Sequence, residues 1–303
     1  MSWLLREEVL IPLMLAVAYV IYFFYPVKKT EDNEKEDDEI ILPPITHDDW
    51  GLIVGAPYAV YADDAVNDFS PCTDADDYRM QSSWGISNRQ DLIYQLFNRI
   101  QGGHATNYDA LRNQVVGLSK NEFDTLLKRM EEDELDDDEY HGLQWQYHMM
   151  HNNTNDIQNV NYWAWDYVRF SMLCLRGIKF RYLTEEEAKA WTRMLAPRLR
   201  EIYTGWDDLW DHFITTRWFW SNEQEPWQSS ASDYLAAIHQ LLQDKHSPAN
   251  VIAWDTPLSS TDTLSFAEAL VSIQQIKNED GELADVDEVN RIIRWHLKMT
   301  DSE

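Results

Sequence analysis

Cysteine is almost missing from these 303 residues: Cys72 and Cys174 stand far apart and in no metal-ligand or redox spacing. That excludes a disulfide scaffold and a paired-cysteine zinc site, and it agrees with a reducing compartment. Positive charge is also scarce. Against 53 Asp and Glu there are only 25 Lys and Arg, a formal net charge of -28. Such a surface repels phosphate backbones and anionic lipid heads, so no nucleic-acid partner is expected. No Gly-rich phosphate loop, nucleophile elbow or HExxH helix occurs, which leaves no catalytic motif and no reason to expect a metal or cofactor. Neither is there a repeat with a period of twenty to fifty residues. Alternating strand patterns are few. The best, Gly51 to Tyr61, reads equally well as a helix of small residues.

Apolar material, by contrast, is ample. Hydrophobic residues make up 44% and aromatics 13%, enough to exclude disorder of the whole chain. Nine of the 14 tryptophans fall between Trp145 and Trp227, which places the expected core there. Residues 9–27 (VLIPLMLAVAYVIYFFYPV) carry no charge over nineteen positions, the length of a helix that spans hydrocarbon. Tyr19, Tyr22 and Tyr25 gather near its end as an interfacial belt. Residues 1–8 carry Arg6, Glu7 and Glu8 and lack the positive excess of a signal peptide, so an uncleaved single-pass anchor is expected. Lys28, Lys29 and Lys35 outnumber Arg6, which puts the remainder on the cytoplasmic side of the inner membrane. Residues 28–46 form a charged linker, and residues 47–303 one domain, with its last helices over 230–299.

Within that domain, helix-start signals recur. Ser87 with Gln90, Ser119 with Glu122, Thr184 with Glu187, Ser265 with Glu268 and Asp285 with Glu288 each precede an apolar stripe at helical spacing. Gly102-Gly103 should stop the first of these helices, and Pro197 should kink the third. The fold expected is all-α, one irregular helical domain with a Trp-rich core. The acidic run Glu131 to Glu139 lacks the alternating ligands and glycine turn of a calcium loop and reads as a solvated segment.

Several blocks follow one another in a distinctive order. They are Trp84-Gly85-Ile86, Gly102-Gly103-His104 and Ala164-Trp165-Asp166-Tyr167-Val168-Arg169. Then come Tyr182, Glu185-Glu186-Glu187-Ala188, Pro197, Tyr203-Thr204-Gly205-Trp206-Asp207-Asp208-Leu209 and Arg217-Trp218-Phe219-Trp220. This order resembles the bacterial "domain of unknown function 1266" family over about residues 50–220, with Trp254 and Asp255 as an extension. Gly205 replaces the family's usual serine before the tryptophan, and Thr216 stands where glycine often precedes the arginine. The resemblance implies a fold and no transferable activity.

Read physically, Asp166 and Arg169 are three apart on one helix face, suited to an ion pair, and Trp165 lies four before Arg169, suited to a cation–π contact. Arg217, beside Trp218 and Trp220, could reach the same acid, with His104 as a fourth polar group. The leading expectation is a buried polar network that fixes helix packing. The chemical alternative is a hydrolase or transferase site of His104, Asp166, Arg169 and Arg217. A binding cluster would add Trp165, Trp206 and Asp207. His148 and His151, three apart, are poor metal candidates, and His212 reads as an ordinary core or surface histidine. The functional expectation is a membrane-tethered, non-enzymatic domain whose acidic surface engages a basic protein, one form being an immunity or antagonist protein.

Overall fold

The computed structural model describes residues 42–72, 74–130, 137–221, 230–259, 262–278 and 281–299. The expected anchor over residues 9–27 and most of the linker lie outside them, as do the side chains of the acidic run. Among the described residues no helix is long and apolar enough to cross a membrane, and none forms a strand beyond one isolated bridge, Lys277 to Leu283.

A 3-10 turn at His47–Asp49 leads into two short helices, α1 (Trp50–Ile53) and α2 (Ala56–Tyr61), so Gly51 to Tyr61 is helical. Then follow α3 (Asp74–Trp84), α4 (Arg89–Ile100), α5 (Gly103–Val115), α6 (Lys120–Met130) and α7 (Asp137–His151). After a second 3-10 stretch come α8 (Trp163–Lys179), α9 (Glu185–Arg193), α10 (Ala196–Ile202) and α11 (Trp206–Trp220). The chain closes with α12 (Ser230–Gln243), α13 (Pro248–Val251), α14 (Leu264–Ser272) and α15 (Val286–His296).

Helix α8 is the axle. Fifteen of its residues are buried, which its near-continuous apolar sequence requires, and α4, α9, α11, α1 and α5 pack around it. Ser171, in its middle, donates to the Gly51 carbonyl at 2.7 Å and accepts the Gly55 amide at 3.0 Å. One hydroxyl thus satisfies backbone groups at the joint between α1 and α2. The described tryptophans other than Trp295 lie in or against the core, as their clustering suggested. Trp50, Trp165, Trp191, Trp210 and Trp218 are fully buried, and Trp206 is 6% exposed. Trp50, Trp206 and Trp254 meet with ring centroids 4.8 to 5.2 Å apart. Three indole N–H groups find carbonyls, Trp50 that of Trp254, Trp206 that of Ile252 and Trp210 that of Val54.

Three of the five helix-start signals form as written. Ser119 and Glu122 bond reciprocally, Thr184 and Glu187 close a capping box, and Asp285 accepts the Glu288 amide. Two differ. Asn88, not Ser87, caps α4 by accepting the Asp91 amide, because Asp91 is turned back onto the Ser87 amide. The helix after residue 263 starts two residues earlier than Ser265 suggested, leaving Ser265 inside α14 as acceptor for the Trp191 indole. Pro197 does not kink a long helix. It opens a new one, α10, where its missing N–H is harmless.

Candidate functional site

The polar cluster forms where the start of α5 meets the first turns of α8. Gly102 and Gly103 have positive φ (107° and 30°), so the chain turns sharply from α4 into α5 instead of simply stopping. A Cβ on Gly103 would sit 2.5 Å from Asp166 Oδ1, so only glycine lets the α5 start approach α8 this closely. Asp166 is fully buried and caps that helix from a different element. Its Oδ2 accepts the Ala105 amide at 3.0 Å and its Oδ1 the His104 amide at 3.3 Å. A carboxylate there satisfies otherwise orphaned N–H groups and complements the helix dipole.

The expected Asp166–Arg169 ion pair does not form: no oxygen of Asp166 lies within 4 Å of the guanidinium. The acid is instead turned toward α5, with Arg99 Nη1 at 3.8 Å. Arg169 reaches its neighbour indirectly, donating through Nη1 to His104 Nδ1 at 3.1 Å, while Arg99 Nη1 lies 3.4 Å from the same nitrogen. Arginine only donates, so Nδ1 accepts and the proton of the neutral ring sits on Nε2. The Asp166 Oδ1 to Nδ1 separation of 3.6 Å is too long for a hydrogen bond. Burial holds the His104 pKa below the ordinary imidazole range. The Arg169 and Arg99 charges add to this, and nearby Asp166 only partly opposes it.

Aromatic faces complete the enclosure. The Arg169 guanidinium lies 4.7 Å from both the Trp84 and the Trp165 ring centroids and 5.9 Å from Trp220, which realises the Trp165–Arg169 contact and adds two further rings. Trp84 was visible in sequence only as part of a motif block, and Arg99 carried no signal: it is the basic residue in the last turn of α4, brought in by the glycine turn. Arg217 is elsewhere. It is 1% exposed, packs on Tyr234 at 4.1 Å and makes no ion pair with Asp166, because its helix, α11, presents it toward α12. Trp206 is committed to the Trp50 and Trp254 cluster, and Asp207 is exposed at the start of α11, so neither joins Asp166.

His148, His151 and His212 have structural partners. His151 stacks on Phe123 at 4.1 Å and contacts the Leu118 carbonyl, and His148 meets Phe123 edge-on. His212 accepts the Asn161 amide through Nδ1 at 3.1 Å. Among the described residues no group of three or more His, Cys, Asp or Glu is placed to hold a metal ion.

The architecture is that of an all-α domain organised by one buried helix, with a glycine turn, an acid cap and a caged arginine at one end of it. The profile of the family described as "Protein of unknown function (DUF1266)" matches residues 79–254, more than half of the chain, and the protein belongs to that family. The match begins in the middle of α3, later than the sequence reading placed it, and runs on to include Trp254. Two proteins of Escherichia coli strain K12 are similar to it. The uncharacterized protein YbeU is 27% identical over 49% of this chain and 59% of its own length. The uncharacterized protein YbeR is 24% identical over 55% of this chain and 65% of its own. The chain thus spans less than two thirds of either relative. No solved structure matches.

Proposed function

We propose that this protein is a non-enzymatic interaction domain, tethered to the inner membrane through residues 9–27, whose acidic surface engages a basic protein partner. One observation carries the reading: the folded part buries more of its cations than of its acids. Arg99, Arg169, Lys179, Arg198 and Arg217 are all at most 9% exposed, whereas only Asp49 and Asp166 among the acids are buried in the described residues. Lys179 is held by Asp64 and Asp68 at 2.6 and 3.1 Å, and Lys189 by Asp49 and Glu185 at 2.8 and 2.6 Å. The exposed surface is therefore predominantly acidic, in keeping with the formal charge of -28, and such a field steers a cationic partner and falls with salt.

Against the enzymatic alternative stands the state of its acid. Both Asp166 oxygens are occupied by backbone amides at full burial, and His104 offers no lone pair outward because Nδ1 faces two guanidinium groups. The test is affinity capture of the full-length, detergent-solubilised protein, with protease protection in spheroplasts. The reading expects one basic partner, released at high salt, and an intact cytoplasmic domain. It fails if a shortened soluble form beginning near Lys28 is recovered, or if the partner is retained at high salt and is not basic.

A further inference from the structure

Two buried cations of this fold are matched with acid: Lys179 lies between Asp64 and Asp68, and Arg198 is held by Glu201. Arg169 is not. It is 6% exposed, yet among the described residues no carboxylate lies within 4 Å of its guanidinium. Asp166, the buried acid of the same cluster, is turned to the His104 and Ala105 amides and toward Arg99. A guanidinium carries five N–H donors. Here Nη1 alone has an acceptor, the neutral His104 Nδ1 at 3.1 Å. Nε and Nη2 have no protein partner and, unlike the enclosed Nε of Arg193 and Arg198, they reach solvent. Their N–H bonds run parallel, forming the side-on edge that receives both oxygens of one carboxylate. Three indoles hold the guanidinium in place, Trp84 and Trp165 at 4.7 Å and Trp220 at 5.9 Å. Trp84 and Trp220 end their helices half-buried and the His104 side chain is 29% exposed, so the cage opens at the surface. A buried cation without an acid is costly, and one fixed with its forked edge toward water is preorganised for an anion.

Independently of the acidic-surface reading, we infer that Arg169 is the floor of a binding site for a small organic monocarboxylate. The ligand's two oxygens accept from Nε and Nη2, and its apolar body lies against the open parts of Trp84 and Trp220. His104 and Trp165 are positioning residues that orient the guanidinium from behind. The net charge of -28 decides the valence, because the surrounding field repels a phosphate dianion more strongly than a monoanion. The indole walls favour a flat apolar body over a hydrated inorganic ion.

The test uses the full chain in detergent and benzoate as the probe, with binding followed by saturation-transfer NMR on the ligand. Benzamide is the uncharged control of the same shape, and inorganic phosphate is the competitor. The site predicts that benzoate binds about tenfold more tightly than benzamide, that equimolar phosphate does not displace it, and that it raises the thermal midpoint. Arg169→Lys keeps the charge but loses the forked edge and should weaken benzoate about tenfold. Trp84→Leu keeps the fork and removes a wall, and should weaken benzoate about threefold. Equal binding of benzoate and benzamide, displacement by phosphate, or benzoate binding indifferent to both substitutions overturns the site, as does absence of benzoate binding by the wild-type protein. Should Arg169→Lys fail to fold, the benzoate–benzamide comparison and Trp84→Leu decide the matter. Capture of a basic partner is a separate measurement, so failure of this site and failure of the acidic-surface reading are distinguishable.

Discussion

Asp166 caps a helix that begins at Gly103, 63 residues before it: its Oδ2 accepts the Ala105 amide at 3.0 Å, in a space that exists because Gly103 has no side chain. This joins the α4–α5 corner to the central helix through one buried carboxylate. Replacing it with alanine leaves helix-terminal amides without an acceptor and the buried Arg99 without its nearest acid. Asp166→Ala should cost about 3–5 kcal/mol, and Asp166→Asn about 1–3 kcal/mol because one acceptor oxygen survives. Gly103→Ala should also destabilise, by about 1–3 kcal/mol, since it combines positive φ with a clash against Asp166 Oδ1. Urea midpoints of the three variants check the ordering, and an unchanged midpoint for Asp166→Ala would show that the cap is not holding the corner.

How much of this was legible is instructive at particular residues. The helical class, the tryptophan core and the Trp165–Arg169 contact follow from spacing along one helix, which sequence periodicity records directly. Arg99 and the turning of Asp166 toward α5 do not, because they depend on the path of the chain through Gly102 and Gly103 in three dimensions. Arg217 was misplaced for a related reason: adjacency to Trp218 and Trp220 in sequence says nothing of which side of α11 faces α8. Ser265 misled because its hydroxyl was more useful to the buried Trp191 indole than to a helix terminus.

The core makes a simple demand. Trp165 stacks on Phe213 at 5.8 Å and lies against Trp220 at 5.0 Å, and Trp206 donates to the Ile252 carbonyl. Trp165→Ala and Trp206→Ala should each lower stability by about 3–5 kcal/mol, a large part of what a single domain possesses. Thermal midpoints that stay put in either variant would contradict the packing.

Acid should weaken the fold through its histidines. Burial pushes the His104 and His296 pKa values down, so across the interval from each lowered value up to the ordinary imidazole value the unfolded chain binds more protons than the folded one. Stability is then fully present above the unfolded imidazole pKa and falls as the pH drops through that interval. His104→Gln should flatten this slope and His296→Gln flatten it less, since His104 also faces two guanidinium groups. Urea midpoints measured from neutral to mildly acidic pH give the slopes, and identical slopes for wild type and His104→Gln would refute the neutral, buried assignment.

Lys179 offers a second buried charge with a different logic. Its ammonium lies between Asp64 and Asp68 and is 7% exposed, and Asp68 keeps a pKa well below the carboxylate range: burial works to raise it, but hydrogen bonds from Ser70 and Lys179, with the Lys179 charge, outweigh that. Lys179→Met should cost about 3–5 kcal/mol at neutral pH by leaving two carboxylates facing each other without a cation. Because a lowered carboxylate pKa stabilises above the unfolded value and is lost as pH falls, the penalty should shrink in acid. A penalty independent of pH would show that lost packing, not charge, is responsible.

The sharpest test concerns how Asp166 and Arg169 communicate. They do not touch, yet Arg169 Nη1 bonds to the His104 nitrogen that lies 3.6 Å from Asp166 Oδ1, so the imidazole stands between them. If the ring is the coupler, a double-mutant cycle of Arg169→Met with His104→Phe should give an interaction energy of about 1 kcal/mol or more. The cycle of Arg169→Met with Asp166→Asn should give less, and that remainder should persist when His104 is already Phe, because only the through-space attraction is left. Placing methionine at 169 also keeps the indoles of Trp84 and Trp165 filled, so the cycle reads charge rather than a cavity. A larger coupling between Arg169 and Asp166 than between Arg169 and His104 would mean that the two charges interact directly, and that the histidine is a bystander between them.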